Sequence, residues 1–381
     1  MADGLQFEVL DILAAHSGLG ISEGIASRDP FVYLTPHNDY IIAKIDSRTF
    51  EVAGTLDLRS VNPAFVGMSG SFVVGRHLYI LPHGSSSGPV YGSDVIRVDL
   101  DNFTPSGVDS LAIMKGAVSY FGRHGFTDGK YGYLNVRGTN ANLSIVRFGL
   151  GKDFTAESVK PVTLTSIGGF GMLQGNWLTC DKRNVYGVAC VAHVPAAEKG
   201  TRRADLWLVS IPAEDFREEA VVATRITHLD LVGPQLITPN LLIDAGDALW
   251  TFPLPINSGT GTVGWLPPLK IPKADPAATI VTKPPADQRP GSQIQNAGAC
   301  FYDSWRYGYT IPVEGEPEIM RVDTWNPGVV EWISVRKHLP KLPTSPLWGC
   351  EWDGKYWAYA VSRNDANGLC VRFHPEGPPH P

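Results

Sequence analysis

Apolar and polar positions alternate through most of the chain in short stretches broken by Gly, Pro, Asn and Asp, the pattern of half-buried strands. The stretch GFTDGKYGYLNV (125–136) shows the unit. Phe126 and Thr127 form one arm, Asp128-Gly129 the turn, and Tyr131, Tyr133 and Val136 the returning arm. Asp-Gly between alternating arms predicts a hairpin, because both residues tolerate the left-handed backbone that tight turns need. Near copies stand at 302–313 (YDSWRYGYTIPV) and 351–361 (EWDGKYWAYAV). Only IPAEDFREEA (211–220) reads as a short helix.

The hairpin is one half of a longer repeat. Its returning arm carries an aromatic marker at Tyr33, Tyr79, Tyr133, Tyr186, Trp250 and Tyr309, with a seventh copy around Ala358. Consecutive markers are 46 to 64 residues apart. That step matches a four-stranded propeller blade of roughly 40–50 residues with loop insertions. A third strand follows most markers and ends near a basic residue, as in IIAKID (41–46), DVIRVD (94–99), LSIVRF (143–148), EIMRVD (318–323) and GLCVRF (368–373). A fourth strand closes most units. The last unit lacks one, whereas LQFEVLDIL (5–13) is a strand with no unit of its own. Its Phe7-Glu8-Val9 echoes Phe50-Glu51-Val52 of the first unit's fourth strand. The expectation is an all-β fold: a single seven-bladed β-propeller, the last blade closed by the N-terminal strand. Residues 1–381 then form one domain, with blades at about 19–63, 64–118, 119–168, 169–233, 234–291, 292–340, and 341–377 plus 5–13. The Pro-rich run at 264–291 reads as a long surface excursion of the fifth blade.

Composition agrees with many turns and excludes several classes. Of 381 residues, 40 are Gly and 30 Pro, and charged residues make up 18%, below the roughly 25% usual for globular domains. The net charge is −6, with no run of Lys or Arg, so a counterion-releasing grip on nucleic acid is not expected. No apolar run approaches the roughly 18 residues that cross a bilayer, and the N-terminus has no secretory pattern. The expected location is cytoplasmic or within a virion or other assembly. Five cysteines with no CxxC spacing read as reduced, buried thiols. No cofactor and no metal site are expected.

The units resemble a propeller repeat of uncharacterised microbial, viral and some eukaryotic proteins, with a consensus like F-D-G-[RK]-Y-x-Y-[FL]-x-P. The match stands as Phe126-Thr127-Asp128-Gly129-Lys130-Tyr131-Gly132-Tyr133-Leu134, with Pro36, Pro82, Pro253 and Pro312 in the proline slot of other blades. The resemblance implies a fold and transfers no catalytic residue.

Literal motif matches carry little. GSSSG (84–88) centres on Ser86, but a nucleophile elbow needs a strand before it and a helix after it, and neither neighbour fits. GGFGMLQG (168–175) lacks the spacing of a phosphate cradle. Propeller geometry points instead to residues a few positions before each hairpin turn, on the first strand at the channel rim. These are Glu23, Ser69, Arg123, His124, Gln174, Asn176, Asn240, Asn296 and Trp348. Convergent polar groups of this kind suit a polar small molecule or a glycan, and they also suit ordered water. His37, His83 and Arg137 fall at equivalent positions after the second strand and suit an anion. Asp128 and Asp353 are turn formers before they are acids. The sequence therefore favours a non-enzymatic binding or interaction module with protein partners, a virion part being one setting. The alternative is a lyase or hydrolase acting on a sugar through Glu23, Arg123 and His124.

Overall fold

A computed structural model of the chain describes residues 6–15, 22–36, 39–65, 68–82, 94–113, 119–120, 125–137, 143–163, 178–193, 201–232, 235–257, 268–282, 295–314, 318–340, 347–362 and 368–375. These residues are almost entirely strand, in seven antiparallel sheets whose strands follow one another in chain order, save that the N-terminal strand joins the seventh. This is the make-up of a seven-bladed β-propeller. The sheets fall into two compact units, one of residues 1–163 with 338–381 and the other of residues 164–337.

The first unit holds four sheets. The first sheet is Ser22–Arg28, Phe31–Pro36, Ile41–Asp46 and Glu51–Asp57. The second is Met68–Val74, His77–Pro82, Asp94–Asp99 and Val108–Ala112. In the third, two short pieces, Ser119–Tyr120 and Phe126–Thr127, both pair with Tyr131–Arg137, and Leu143–Gly149 and Lys160–Thr163 follow. The seventh is Leu347–Trp352, Ala358–Ser362 and Leu369–Phe373, with Phe7–Asp11 as its outer strand. The second unit holds the fourth sheet (Leu178–Cys180, Asn184–His193, Thr201–Pro212, Val222–Val232), the fifth (Gln235–Ala245, Ala248–Asn257, Leu269–Pro272, Ile280–Val281) and the sixth (Gln295–Tyr302, Tyr307–Glu314, Glu318–Asp323, Val330–Ser334).

Three details differ from the sequence expectation. The expected excursion of the fifth sheet contains that sheet's third strand, Leu269–Pro272, hidden in the sequence by the flanking prolines. No α-helix forms at 211–220. A strand ends at Pro212 and a single 3₁₀ turn, Glu218–Ala220, follows, while four-residue helices stand instead at Ile12–Ala15 and Val335–His338. The seventh marker is Tyr359, one residue past Ala358, because Tyr359 is the side chain buried opposite the third-strand cation.

One cross-strand pair repeats. The marker aromatic lies opposite a third-strand cation in Tyr33/Lys44, Tyr79/Arg97, Tyr133/Arg147, Trp250/Lys270, Tyr309/Arg321 and Tyr359/Arg372. The fourth sheet has Ser210 opposite Tyr186. All seven markers are buried. Sheets of the first unit join through these pairs. Tyr359 packs on Phe50, Tyr33 on Phe103 and Tyr79 on Phe154, each partner lying in the turn after the next sheet's third strand. The cations follow the same path: Arg372 donates to the Ser47 carbonyl at 2.5 Å and Arg97 to that of Gly151. Within the second unit Lys270 of the fifth sheet donates to the Thr324 carbonyl of the sixth at 3.2 Å. In these three pairs apolar burial is joined to a hydrogen bond that satisfies a turn carbonyl.

The N-terminal strand occupies a regular fourth-strand slot. Its register runs from Phe7 opposite Phe373 to Asp11 opposite Leu369. Glu8 stands opposite Arg372 and accepts from its guanidinium at 2.6 Å, as Asp109 does from Arg97 and Glu331 from Arg321. Arg372 is also stacked on Phe50 and Trp357, each at 4.3 Å. Because Arg372 is buried and Glu8 half exposed, the two ends of the pair respond unequally to deletion. Arg372→Ala is expected to lower the free energy of unfolding by about 3 kcal/mol, and Glu8→Gln by about 1 kcal/mol, in chemical denaturation. Equal losses would show that the stacked guanidinium is not what the seam depends on.

Candidate functional site

The hairpin turns are built by carboxylates. Asp128 Oδ1 accepts from the main-chain N–H groups of Lys130 and Tyr131, and Oδ2 takes the Tyr133 hydroxyl at 2.7 Å. Asp181 does the same with Arg183, Asn184 and Tyr186. Asp303 and Asp353 each accept three consecutive N–H groups, of 305–307 and 355–357. Gly129 and Gly354 take φ of +90° and +79°, the left-handed backbone such turns require. Asp128 and Asp353 are turn formers, as their Asp-Gly context implies, and Asp181 and Asp303 build the same kind of turn without a following Gly.

On the sixth sheet this turn carries an aromatic pair. Trp305 follows the Asp303 turn, and Trp325 follows the third strand, its N–H donating to Asp323. The two indoles meet edge to face at 5.2 Å and 68°. Arg306 lies between Tyr307 and Trp325, at 5.1 and 5.3 Å from their ring centres, and its guanidinium is paired with Asp323. Burial alone would raise the Asp323 pKa. Arg306 and the N–H groups of Trp325 and Asn326 outweigh it and hold the carboxyl below the ordinary range. The clamp fixes Trp325 in place, yet its side chain is 60% exposed and Val329 beside it is also exposed. A rigid, exposed indole backed by Arg is the residue chemistry of a docking anchor, since little side-chain entropy is left to lose. Neither Trp305 nor Trp325 recurs at a regular place in the blade repeat. Their placement in two turns of one sheet brings them together, which spacing along the chain does not reveal.

A second feature is a cavity of about 250 Å³ at the outer side of the second sheet, lined by Arg76, His77, Arg97, Asp99, Asn102 and Asp109 among others. Arg76 and Arg97 are paired with Asp99 and Asp109 across it. Burial and the nearby Arg97 lower the His77 pKa. Its charges are mutually compensated.

The rim residues named from the sequence fall in two groups. Glu23, Ser69, Asn240, Asn296 and Trp348 lie on first strands, with their side chains outside the described residues. Arg123, His124, Gln174 and Asn176 lie outside them altogether, as do His37 and His83, while Arg137 ends a second strand with its side chain likewise outside. The backbone is informative here. The pairing of first and second strands slips between Ser22 and Gly24, Met68 and Ser71, Pro239 and Leu242, Ala297 and Ala299, and Leu347 and Gly349. Glu23, Ser69, Asn240 and Trp348 therefore sit within β-bulges, irregularities that bend a strand and re-aim its side chains. Among the described residues no group of His, Cys, Asp and Glu could hold a metal, and no helix is long and apolar enough to cross a membrane.

Glu351 of the seventh sheet accepts from the Ser27 hydroxyl of the first sheet at 3.2 Å. Asp353 is the charged group on its own strand's turn, and the Lys355–Asp29 pair spans the same seam at 2.7 Å. Desolvation raises the Glu351 pKa to about 8, against hydrogen bonds from Ser27 that lower it.

No protein-family model matches the chain, and no curated protein matches it. Among solved structures it is similar to the β-propeller domain of Myceliophteria thermophila Cps50 (Swd1), with a TM-score of 0.53, 12% identity, and coverage of 94% of this chain and 97% of that one. It is also similar to the Dos1 propeller, with a TM-score of 0.51, 8% identity, and coverage of 97% and 95%. At these identities the likeness speaks to the fold, and it agrees with the seven sheets.

The Glu351 carboxyl sets a pH dependence of stability. Its folded pKa lies above the unfolded one, so its contribution is fully present below about pH 4.5 and is lost as pH rises towards 8. Glu351→Gln keeps the shape and removes the titration. The variant is expected to gain about 2 kcal/mol over the parent at pH 8.5 and little at pH 4.5, read from paired unfolding curves. A gap that does not change with pH would contradict this.

Proposed function

We propose that this protein is a non-enzymatic interaction module that docks protein partners through the turns of its sixth sheet. The observation that carries the reading is Trp325: clamped by Arg306 and Trp305, backed by a buried carboxylate, and still 60% exposed. An exposed indole held this firmly brings contact area at low entropic cost, and Trp and Arg dominate the energetics of protein interfaces. The propeller likeness supports the same reading at the level of the fold, because the architecture presents turns on a rigid frame. A virion or another large assembly as the setting belongs to this proposal too.

The test places a photo-crosslinking amino acid at Asn326, beside the indole, and compares the parent with Trp325→Ala. The variant is expected to keep its melting temperature, since the side chain is exposed. It is expected to lose at least about tenfold in the yield of a discrete crosslinked partner, the effect of removing an interface anchor worth about 2 kcal/mol. Equal yield from both proteins would overturn the assignment of Trp325 as the anchor.

A further inference from the structure

Lys270 breaks the rule that its counterparts obey. In five other sheets the third-strand cation meets an acid or an aromatic ring of its own sheet, and the fourth sheet has Ser210 in its place. Arg97, Arg321 and Arg372 face the acids Asp109, Glu331 and Glu8 on the outer strand. Lys44 lies 3.8 Å over Phe31, and Arg147 lies 4.2 Å from the ring centre of Tyr131. Those rings precede the marker aromatic by two residues. The fifth sheet has Ala248 at that place, and Ile280 where an acid would stand. Among the described residues the half-buried Lys270 ammonium has one partner, the Thr324 carbonyl, for three donor hydrogens.

Exposed apolar groups flank this cation. Ile280, directly across from it, is 46% exposed, and the residue after Thr324 is Trp325. We propose that Lys270 receives a carboxylate of the docked partner, and that the partner is an acidic peptide segment whose neighbouring apolar side chains cover Ile280 and Trp325. The proposal rests on the docking reading above. Its chemistry follows from charge complementarity: a cation already partly desolvated gains from an acid more than an exposed one does, and the apolar neighbours exclude water from the pair. The chain's net charge of −6 opposes acidic partners at long range, but at physiological salt charges more than about 8 Å apart are largely screened.

The experiment selects short random peptides displayed on phage against the full chain and measures the enriched peptides on four proteins: parent, Trp325→Ala, Lys270→Met and Lys270→Arg. The expected winners combine Asp or Glu with adjacent Leu, Ile or Trp. Their affinity falls at least about tenfold in Lys270→Met, is largely kept in Lys270→Arg, and declines with added salt. If Lys270→Met does not fold, Lys270→Gln takes its place. Peptides that need Trp325 but show no acidic enrichment and no response at Lys270 would overturn this inference and leave the docking reading standing. Peptides indifferent to both positions, or no enrichment at all, would overturn both.

Discussion

A four-stranded sheet of this size can hide its apolar faces only against a neighbouring sheet, and here one cross-strand pair recurs within the buried layers of six of the seven sheets. An aromatic on the second strand is buried to the last few per cent, and a cation lies across from it on the third. The ring supplies apolar area. The cation caps the ring layer, reaches an outer-strand acid where there is one, and spends a remaining donor on a carbonyl of the next sheet's turn. Arg and Lys suit this because their stems are apolar while their heads are not. Rows of hydrophobic residues would bury similar area without fixing how far one sheet slides along the next.

The same economy explains where function can reside. The sixth sheet commits Arg306 and Asp323 to each other and thereby presents an indole. Among the described residues the fifth sheet gives its cation one carbonyl as partner. Both departures lie at the edge of the repeat, in turns and outer strands, where substitution costs the inter-sheet layer least. The bulges of the first strands form a separate series, and their recurrence in five sheets marks them as part of the repeat's own geometry.

Much of the fold was legible because the repeat writes its local signals plainly: Asp-Gly at a turn, an aromatic five or six residues on, a basic residue across the sheet. The closing strand was found through a less faithful signal. Phe7-Glu8-Val9 echoes Phe50-Glu51-Val52, yet Glu8 faces the cation Arg372, whereas the residue facing Lys44 is Gly54. The echo reported strand composition; the ion pair sets the register. The third strand at Leu269–Pro272 was obscured because prolines silence the alternation on either side of it. The Trp305–Trp325 pair was illegible for a more general reason: the two residues belong to different turns, and their meeting depends on how the strands between them are paired. The vacancy opposite Lys270 is likewise a property of register, invisible until Ile280 is known to be its neighbour.

The pairing of Phe7 with Phe373 has a mechanical side. The first residue of one strand lies against the last residue of the other, and their rings stack at 5.3 Å. A tether pulling the chain from both directions would load this end first and peel the two strands apart one hydrogen bond at a time, without shearing the whole ladder together. The seventh sheet is therefore a zipper under tension, weak to force along that line, while the Ser27–Glu351 and Lys355–Asp29 contacts on its far side would bear none of the load.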